Sequence, residues 1–254
     1  MTKIYAMTEK GNHSENEDRI LINDTIVSAG TFEVECDDKF KICVADGVGG
    51  NNAGAVASSF VCESLKTIVP SGKNDLLDIN SQLLTKSTEN ANYNGMATTL
   101  SGICISDENA ISFHIGNTRI YVFQGSYIKQ ITEDHTSVNW LVKTGKLSKK
   151  EAETYDRRNE ITACFGGGNP ALINSLVFEE SNEALLNAKR IVLTSDGVHE
   201  YVSIDEMEDI LNDENMSPLQ ACDEIINIAK TNGSSDDKSI VIIDKGGDFN
   251  GIEI

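Results

Sequence analysis

Basic residues are scarce in this chain of 254 residues, where 21 Lys and Arg stand against 40 Asp and Glu and the formal charge is -19 at pH 7. Binding to nucleic acid or to an anionic membrane begins with phosphate neutralisation by Lys and Arg, so this balance argues against both partners. No run is long and apolar enough to span a bilayer, and the opening MTKIYAMTEK lacks the basic start, apolar core and cleavage site of a signal peptide. The expectation is a cytoplasmic protein. Paired cysteines are missing as well. Cys36, Cys43, Cys62, Cys104, Cys164 and Cys222 stand singly, mostly in apolar runs, and read as reduced core residues. None lies in a Gly- and Arg-containing loop that would cradle a phosphate for a thiol nucleophile. The four histidines include no pair at i, i+4, which makes a His-based zinc site improbable. Linkers, low-complexity tracts and internal repeats are also lacking, so residues 1–254 read as one domain.

Hydrophobic residues make up 39% of the chain, enough to build the core of an enzyme. Residues 1–10 read as a short arm, followed by strands at Arg19 to Ile22 and Thr25 to Ser28 around an Asn23-Asp24 turn. The run FKICVA at Phe40 to Ala45 is too short for a typical helix, is rich in apolar residues, and stops at Asp46. The following Gly47, Gly49 and Gly50 allow close backbone approach. Helical periodicity then marks Ala53 to Ile68 and Asp75 to Ala91. Residues Met96 to Ile131 read as a meander of four strands joined by short turns, which predicts antiparallel neighbours throughout. His135 to Leu172 is a long polar excursion containing Gly166, Gly167 and Gly168; without the Lys-Ser/Thr of a P-loop it reads as a flexible lid. A short apolar strand, Arg190 to Thr194, ends in Ser195-Asp196-Gly197 and so repeats the pattern at Asp46. Capping boxes at Ser203–Glu206 and Ser217–Gln220 launch two further helices. Asp236 and Asp237 precede a final strand, Ser239 to Ile243.

Four acidic positions therefore stand at strand ends. Glu17/Asp18 and Asp236/Asp237 precede strands, whereas Asp46 and Asp196 follow them. Each acid by itself reads equally as a turn residue. On antiparallel neighbours, however, the end of one strand lies beside the start of the next, and the four positions would converge. Carboxylates gathered in that way require cations. Two hard divalent ions, magnesium or manganese, suit carboxylate, carbonyl and water ligands. Asp46 is the natural bridging ligand, with the adjoining Gly47 carbonyl available to one ion.

The motifs NEDR (Asn16 to Arg19), ADGVGG (Ala45 to Gly50), TTLSGICIS (Thr98 to Ser106), IGNTRIYVF (Ile115 to Phe123), ITEDHT (Ile131 to Thr136), RNEIT (Arg158 to Thr162), VLTSDGV (Val192 to Val198) and GSSDDKSIVI (Gly233 to Ile242) run in one order along nearly the whole chain. In this the sequence resembles the metal-dependent protein phosphatases of the PPM family, type 2C, and especially their compact bacterial members. The resemblance implies an α+β fold, a four-layer α-β-β-α sandwich of two antiparallel sheets flanked by helices. It implies hydrolysis of phosphoserine and phosphothreonine in proteins by water activated between two Mn/Mg ions. By position, Asp46 bridges the ions, Asp196 and Asp236 complete the first site, Glu17 and the Gly47 carbonyl serve the second, and Asp18 supports nearby. Ser195 then reads as a strand-end residue and not as a nucleophile. The implied partners are phosphoproteins, the targets of a serine/threonine kinase.

The chain departs from the family pattern at four positions. His13 replaces a phosphate-binding arginine, which implies weaker phosphate binding that improves at mildly acidic pH. Asn117 replaces an aspartate that helps hold a third metal, and an amide is a poorer ligand. Asp237 stands where asparagine is common, and Val48 where animal members carry histidine. His13 and Asn117 suggest an alternative, a weakly active phosphatase-like module that binds phosphoproteins or regulatory partners. The retained Asp46, Asp196, Asp236 and Glu17 argue against it. A hydrolase of small phosphoesters would share the same site.

Overall fold

Alternating side chains of the short strands are buried on both faces, and this dictates the layering. In the computed structural model, which describes residues 1–48, 53–106 and 109–246, Phe40, Ile42 and Val44 of strand Phe40–Ala45 point into one core while Cys43 and Ala45 point into another. Gly49 and Gly50, and the turn positions 107 and 108, lie outside the described residues. Two six-stranded sheets stack face to face. One has the order Val177–Glu179, Ala110–Ile115, Leu100–Ile105, Phe40–Ala45, Arg19–Ile22, Thr25–Val27. The other has the order Tyr127–Gln130, Arg119–Gln124, Arg190–Thr194, Lys238–Asp244, Thr2–Glu9, Gly30–Cys36. Every neighbouring pair in both is antiparallel.

Between the sheets, Ile4, Ile20, Ile42, Val44, Ile120, Leu193 and Val241 form the central core. On the outer face of the first sheet, Cys43, Leu100 and Phe113 pack on Val61 and Leu65 of helix Ala53–Lys66 and on Leu76 and Leu83 of helix Lys73–Ser87. On the outer face of the second, Tyr121, Val192, Ile240 and Ile242 meet Met207 and Leu211 of helix Ile204–Leu211 and Ile225 and Ile226 of helix Pro218–Thr231. The result is the four-layer α-β-β-α sandwich. Each fully buried aliphatic side chain contributes about 1.5–3 kcal/mol through surface removed from water. The capping boxes at Ser148, Ser203 and Ser217 are all formed, each serine accepting from the backbone three residues on. Among the described residues no helix is long and apolar enough to cross a membrane.

Three readings of the sequence are corrected. The residues taken as an arm form the strand Thr2–Glu9, paired on one side with Lys238–Asp244 and on the other with Gly30–Cys36, a strand with no sequence expectation. Thr2–Glu9 is buried on both faces, which erases the alternation that would mark it, whereas the edge strand Gly30–Cys36 does alternate, with Phe32, Val34 and Cys36 packed on the core between the outward Glu33 and Glu35. The helix expected over Asp75 to Ala91 runs from Lys73 to Ser87. Finally, the meander does not stay in one sheet: Ala110–Ile115 belongs to the first and Arg119–Gln124 to the second. Gly116 makes the crossing with φ +99°, and a Cβ there would lie 2.5 Å from the side chain of Thr99.

The excursion from 135 to 172 holds the short helices Ser137–Lys143 and Lys149–Ala152 and the strand Phe165–Gly166, which pairs with Ala97–Thr98. Two amides of its glycine run are already engaged, Gly166 N–H with Asn80 Oδ1 at 2.8 Å and Gly167 N–H with the Met96 carbonyl at 2.9 Å. A phosphate cradle is therefore not what these glycines form.

Candidate active site

Register brings the acids together. Arg19 pairs with Ala45, so the residues just beyond the pair, Asp18 and Asp46, emerge side by side from the first sheet. Thr194 pairs with Ile240 in the second sheet, and Ser195 and Ser239 continue that pairing toward Asp196 and Asp236. The two sheets present these ends at one edge of the sandwich. Asp46 and Asp196 lie within hydrogen-bonding reach of each other, and Asp18 and Asp236 are close enough to act on Asp46 through their charge. Glu17 sits beside the start of helix Ala53–Lys66, where its carboxylate accepts from the Ala55 amide.

The main chain around the acids is tightly held. Gly47 and Gly54 pack backbone against backbone: a Cβ on Gly47 would lie 2.3 Å from the Gly54 carbonyl oxygen, and one on Gly54 would lie 2.5 Å from Glu17 Oε2. Glu17's carbonyl accepts from Ser58 Oγ at 2.6 Å and from Gly47 N–H at 3.2 Å. Asp46's carbonyl accepts from Thr99 N–H and Thr98 Oγ1 at 2.8 and 2.9 Å. Ser195 is fully buried, donates to Asp18 Oδ2 at 2.7 Å, and accepts from Ser239 N–H at 2.9 Å. Its hydroxyl is occupied on both sides, which fits a strand-end residue. Asn117, carried to this edge by the crossing between sheets, donates its amide to Asp196 Oδ2 at 2.8 Å.

Crowding of like charges shows in the titration of the acids. Burial, followed by repulsion from Asp196, Asp18 and Asp236, pushes the Asp46 carboxyl well above the usual range. Burial likewise raises Asp18 to about 8 and Asp196 to about 6. Glu17 is raised by burial as well. Asp18 Oδ1 and Asp196 Oδ1 are buried without any hydrogen-bond partner. Unpartnered buried carboxylate oxygens are costly unless something positive meets them. An all-oxygen donor set of this kind fits a hard divalent cation such as Mg2+ or Mn2+.

His13 reaches the same edge, with Nδ1 3.1 Å from Asp237 Oδ2 and 3.8 Å from Asp236 Oδ1. Burial alone would lower its pKa, but the hydrogen bond and charge of Asp237, with Asp236 and Glu17 behind, raise it above the ordinary histidine value. The sequence reading left out what Asp237 does. Its carboxylate is buried and gathers three partners from the loop 11–17. An acid directly before a buried strand was the available signal. Val48 lies in the short strand Gly47–Val48.

Similarity to known proteins agrees with this geometry. Residues 31–235 match the family model described as Protein phosphatase 2C. The chain is 30% identical to Protein phosphatase PhpP of Streptococcus pneumoniae over 216 residues, covering 80% of this chain and 84% of that one. It is 28% identical to Serine/threonine phosphatase stp of Listeria welshimeri, covering 86% and 89%. The crystal structure of Serine/threonine phosphatase Stp1 from Staphylococcus aureus superposes with a TM-score of 0.80 at 29% identity, over 97% of this chain and 96% of that one. With the two-sheet sandwich and the acidic edge where the motifs of the sequence meet, these matches lead to one conclusion: the chain belongs to the protein phosphatase 2C family.

Proposed function

We propose that this protein hydrolyses phosphoserine and phosphothreonine in proteins with the help of two Mn2+ or Mg2+ ions. The observation that carries the proposal is the pair of buried, unpartnered oxygens on Asp18 and Asp196 in a nest of acids that no Lys or Arg ion pair reaches among the described residues. Asp46, Asp196 and Asp236 would hold one ion; Asp46, Glu17 and the Gly47 carbonyl would hold the other, with Asp18 in support. Lewis-acid activation of water and neutralisation of phosphoryl charge are the chemistry such ions supply.

The chain's own groups do the rest. Asp46, held by the clasp of Thr98 and Thr99 on its carbonyl, keeps a constant position between the two sheets. His13, half exposed at the rim, is placed to hydrogen-bond the substrate phosphate. Ser195 is not offered to the phosphorus, and with water as the nucleophile no phosphoenzyme is needed. Asn117 occupies the third-metal position with a neutral amide already bonded to Asp196, which supports a two-ion site. Residues 1–254 act as one catalytic domain, with the segment 135–172 as a lid that selects protein substrates phosphorylated by a serine/threonine kinase. Scattered free thiols fit a reducing, cytoplasmic setting.

The test is hydrolysis of a phosphothreonine peptide and of an aryl phosphate with Mn2+, with Mg2+ and with EDTA, beside Asp46→Asn. Turnover of the peptide is expected with either ion and not with EDTA, and Asp46→Asn is expected to lower kcat by about three orders of magnitude. Turnover without metal, or an unaffected variant, overturns the mechanism. Phosphopeptide binding without turnover would point to the binding module instead, and turnover confined to the aryl phosphate to a small-molecule hydrolase.

A further inference from the structure

The loop 11–17, between strands Thr2–Glu9 and Arg19–Ile22, lies directly on the turn 235–237. A Cβ on Gly11 would sit 2.3 Å from the carbonyl oxygens of Ser235 and Asp236, and Asn12 N–H donates to the Ser235 carbonyl at 2.8 Å. One side chain ties the loop down along its length. Asp237, whose side chain is 2% exposed, accepts from Gly11 N–H on Oδ1 at 2.7 Å, and on Oδ2 from Glu17 N–H at 2.7 Å and from His13 Nδ1 at 3.1 Å. Both carboxylate oxygens are thus committed, one to each end of the loop. The His13 side chain remains 47% exposed, and with Nδ1 engaged, Nε2 is the ring nitrogen left for a ligand.

We propose that Asp237 is a positioning residue: it fixes the His13 ring with Nδ1 turned inward and Nε2 turned to the substrate phosphate, and it sets the main chain of Glu17 beside it. The partner of one imidazole nitrogen decides which face of the ring is offered, so a carboxylate on Nδ1 makes Nε2 the contact atom. The carboxylate is required for the whole clamp. An amide has one acceptor oxygen, and its NH2 group cannot accept from a backbone N–H, so Asn at 237 leaves Gly11 or Glu17 without a partner. If that NH2 group turns toward His13, it also repels the Nδ1 proton and reverses the ring's donor pattern. This inference rests on the proposed function only in that the ligand of His13 is a phosphate.

Two measurements test it. In 15N spectra of the wild-type protein saturated with Mg2+, addition of inorganic phosphate at constant pH is expected to move the His13 Nε2 resonance and leave Nδ1 in place. A shift at Nδ1 instead, or no response of the ring, overturns the proposal. In kinetics at saturating Mn2+ with a phosphothreonine peptide, Asp237→Asn is expected to raise KM about fivefold and change kcat less than about twofold. In a His13→Ala background the same substitution is expected to raise KM less than about twofold, because the ring it orients is gone and only its hold on the main chain of Gly11 and Glu17 remains. An equal rise in KM in both backgrounds, or none in either, also overturns it. Wild-type protein that shows the Nε2 shift yet hydrolyses no phosphopeptide would count against the proposed reaction and in favour of this clamp.

Discussion

Two acidic clusters lie next to each other in this molecule and are balanced in opposite ways. Asp134 and Glu200 are largely buried, at 13% and 17% side-chain exposure, and both are met by the protein's own cations. Arg119 Nε lies 3.0 and 3.1 Å from the Asp134 oxygens and Nη2 2.6 Å from Oδ2, and Gln130 adds a bond at 3.0 Å. Glu200 has Arg119 at 3.7 Å and Arg158 at 3.4 Å. Only four residues before Glu200, Asp196 belongs to the cluster with Asp18, Asp46 and Asp236, where no arginine or lysine makes an ion pair among the described residues and two carboxylate oxygens stay unpartnered. Proximity of acids is therefore a poor marker of a metal centre. Absence of internal compensation is a better one, because buried charge must be met from somewhere.

Removing a cation from the balanced cluster gives the largest expected effect. Arg119→Met leaves Asp134 and Glu200 without their shared partner and is expected to destabilise the fold by about 3 kcal/mol, read as a lower midpoint in urea. A loss under about 1 kcal/mol would mean that solvent already balances this cluster, and the contrast between the two would dissolve.

An intermediate effect is expected from pH in the metal-free protein. Asp196 at about 6 and Asp18 at about 8 titrate above their unfolded values near 4. Groups raised in the folded state contribute their stability below the unfolded pKa and lose it as pH rises through the folded one. His114 and His199, which burial holds below the histidine range, act the other way, because the unfolded chain protonates them at pH 5.5. Metal-free wild-type protein is therefore expected to lose several degrees of melting temperature between pH 5.5 and pH 8.5 relative to Asp46→Asn, which takes one charge out of the nest and leaves the histidines as they are. Saturating Mn2+ should remove the part of the slope that belongs to the acids. The same change of melting temperature with pH in wild type and variant would show that the cluster is not under strain.

The smallest effect belongs to Asn117. Asn117→Asp exchanges a donor to Asp196 for a further negative charge and is expected to lower metal-free stability by about 1 kcal/mol. Calorimetry with Mn2+ should then show whether the added acid creates a third binding event. An unchanged melting temperature would mean that the Asn117 amide does little to balance Asp196.

Much of the fold was legible because local rules and tertiary demands agreed. The capping boxes at Ser203 and Ser217 with the helices they launch, and the strands Arg19–Ile22, Phe40–Ala45 and Arg190–Thr194, follow from side-chain chemistry within a few residues. Thr2–Glu9 was not legible, since a strand covered on both faces shows no alternation. Nor was the passage of the chain between sheets at Gly116, because a three-residue link looks the same whether it joins neighbours in one sheet or turns the corner of a sandwich. In the site, Asp18, Asp46, Asp196 and Asp236 stood out as acids at strand ends, whereas the clamp of Asp237 on Gly11, His13 and Glu17 spans at least 220 positions, and an acid before a strand does not say which remote groups it gathers.

By itself the sequence determined that acids would close apolar strands and open others, that the chain would carry excess negative charge, and which motifs place it beside the type 2C phosphatases. Those are properties of neighbouring residues and of composition. Only the tertiary structure decided which acids go without a cation. That depends on the pairing of Arg19 with Ala45 and of Thr194 with Ile240, and on the stacking of two sheets that sets one edge apart from the arginines serving Asp134 and Glu200. Charge balance is a matter of distances of a few ångströms between residues remote in the chain, and it exists only once the sheets have closed.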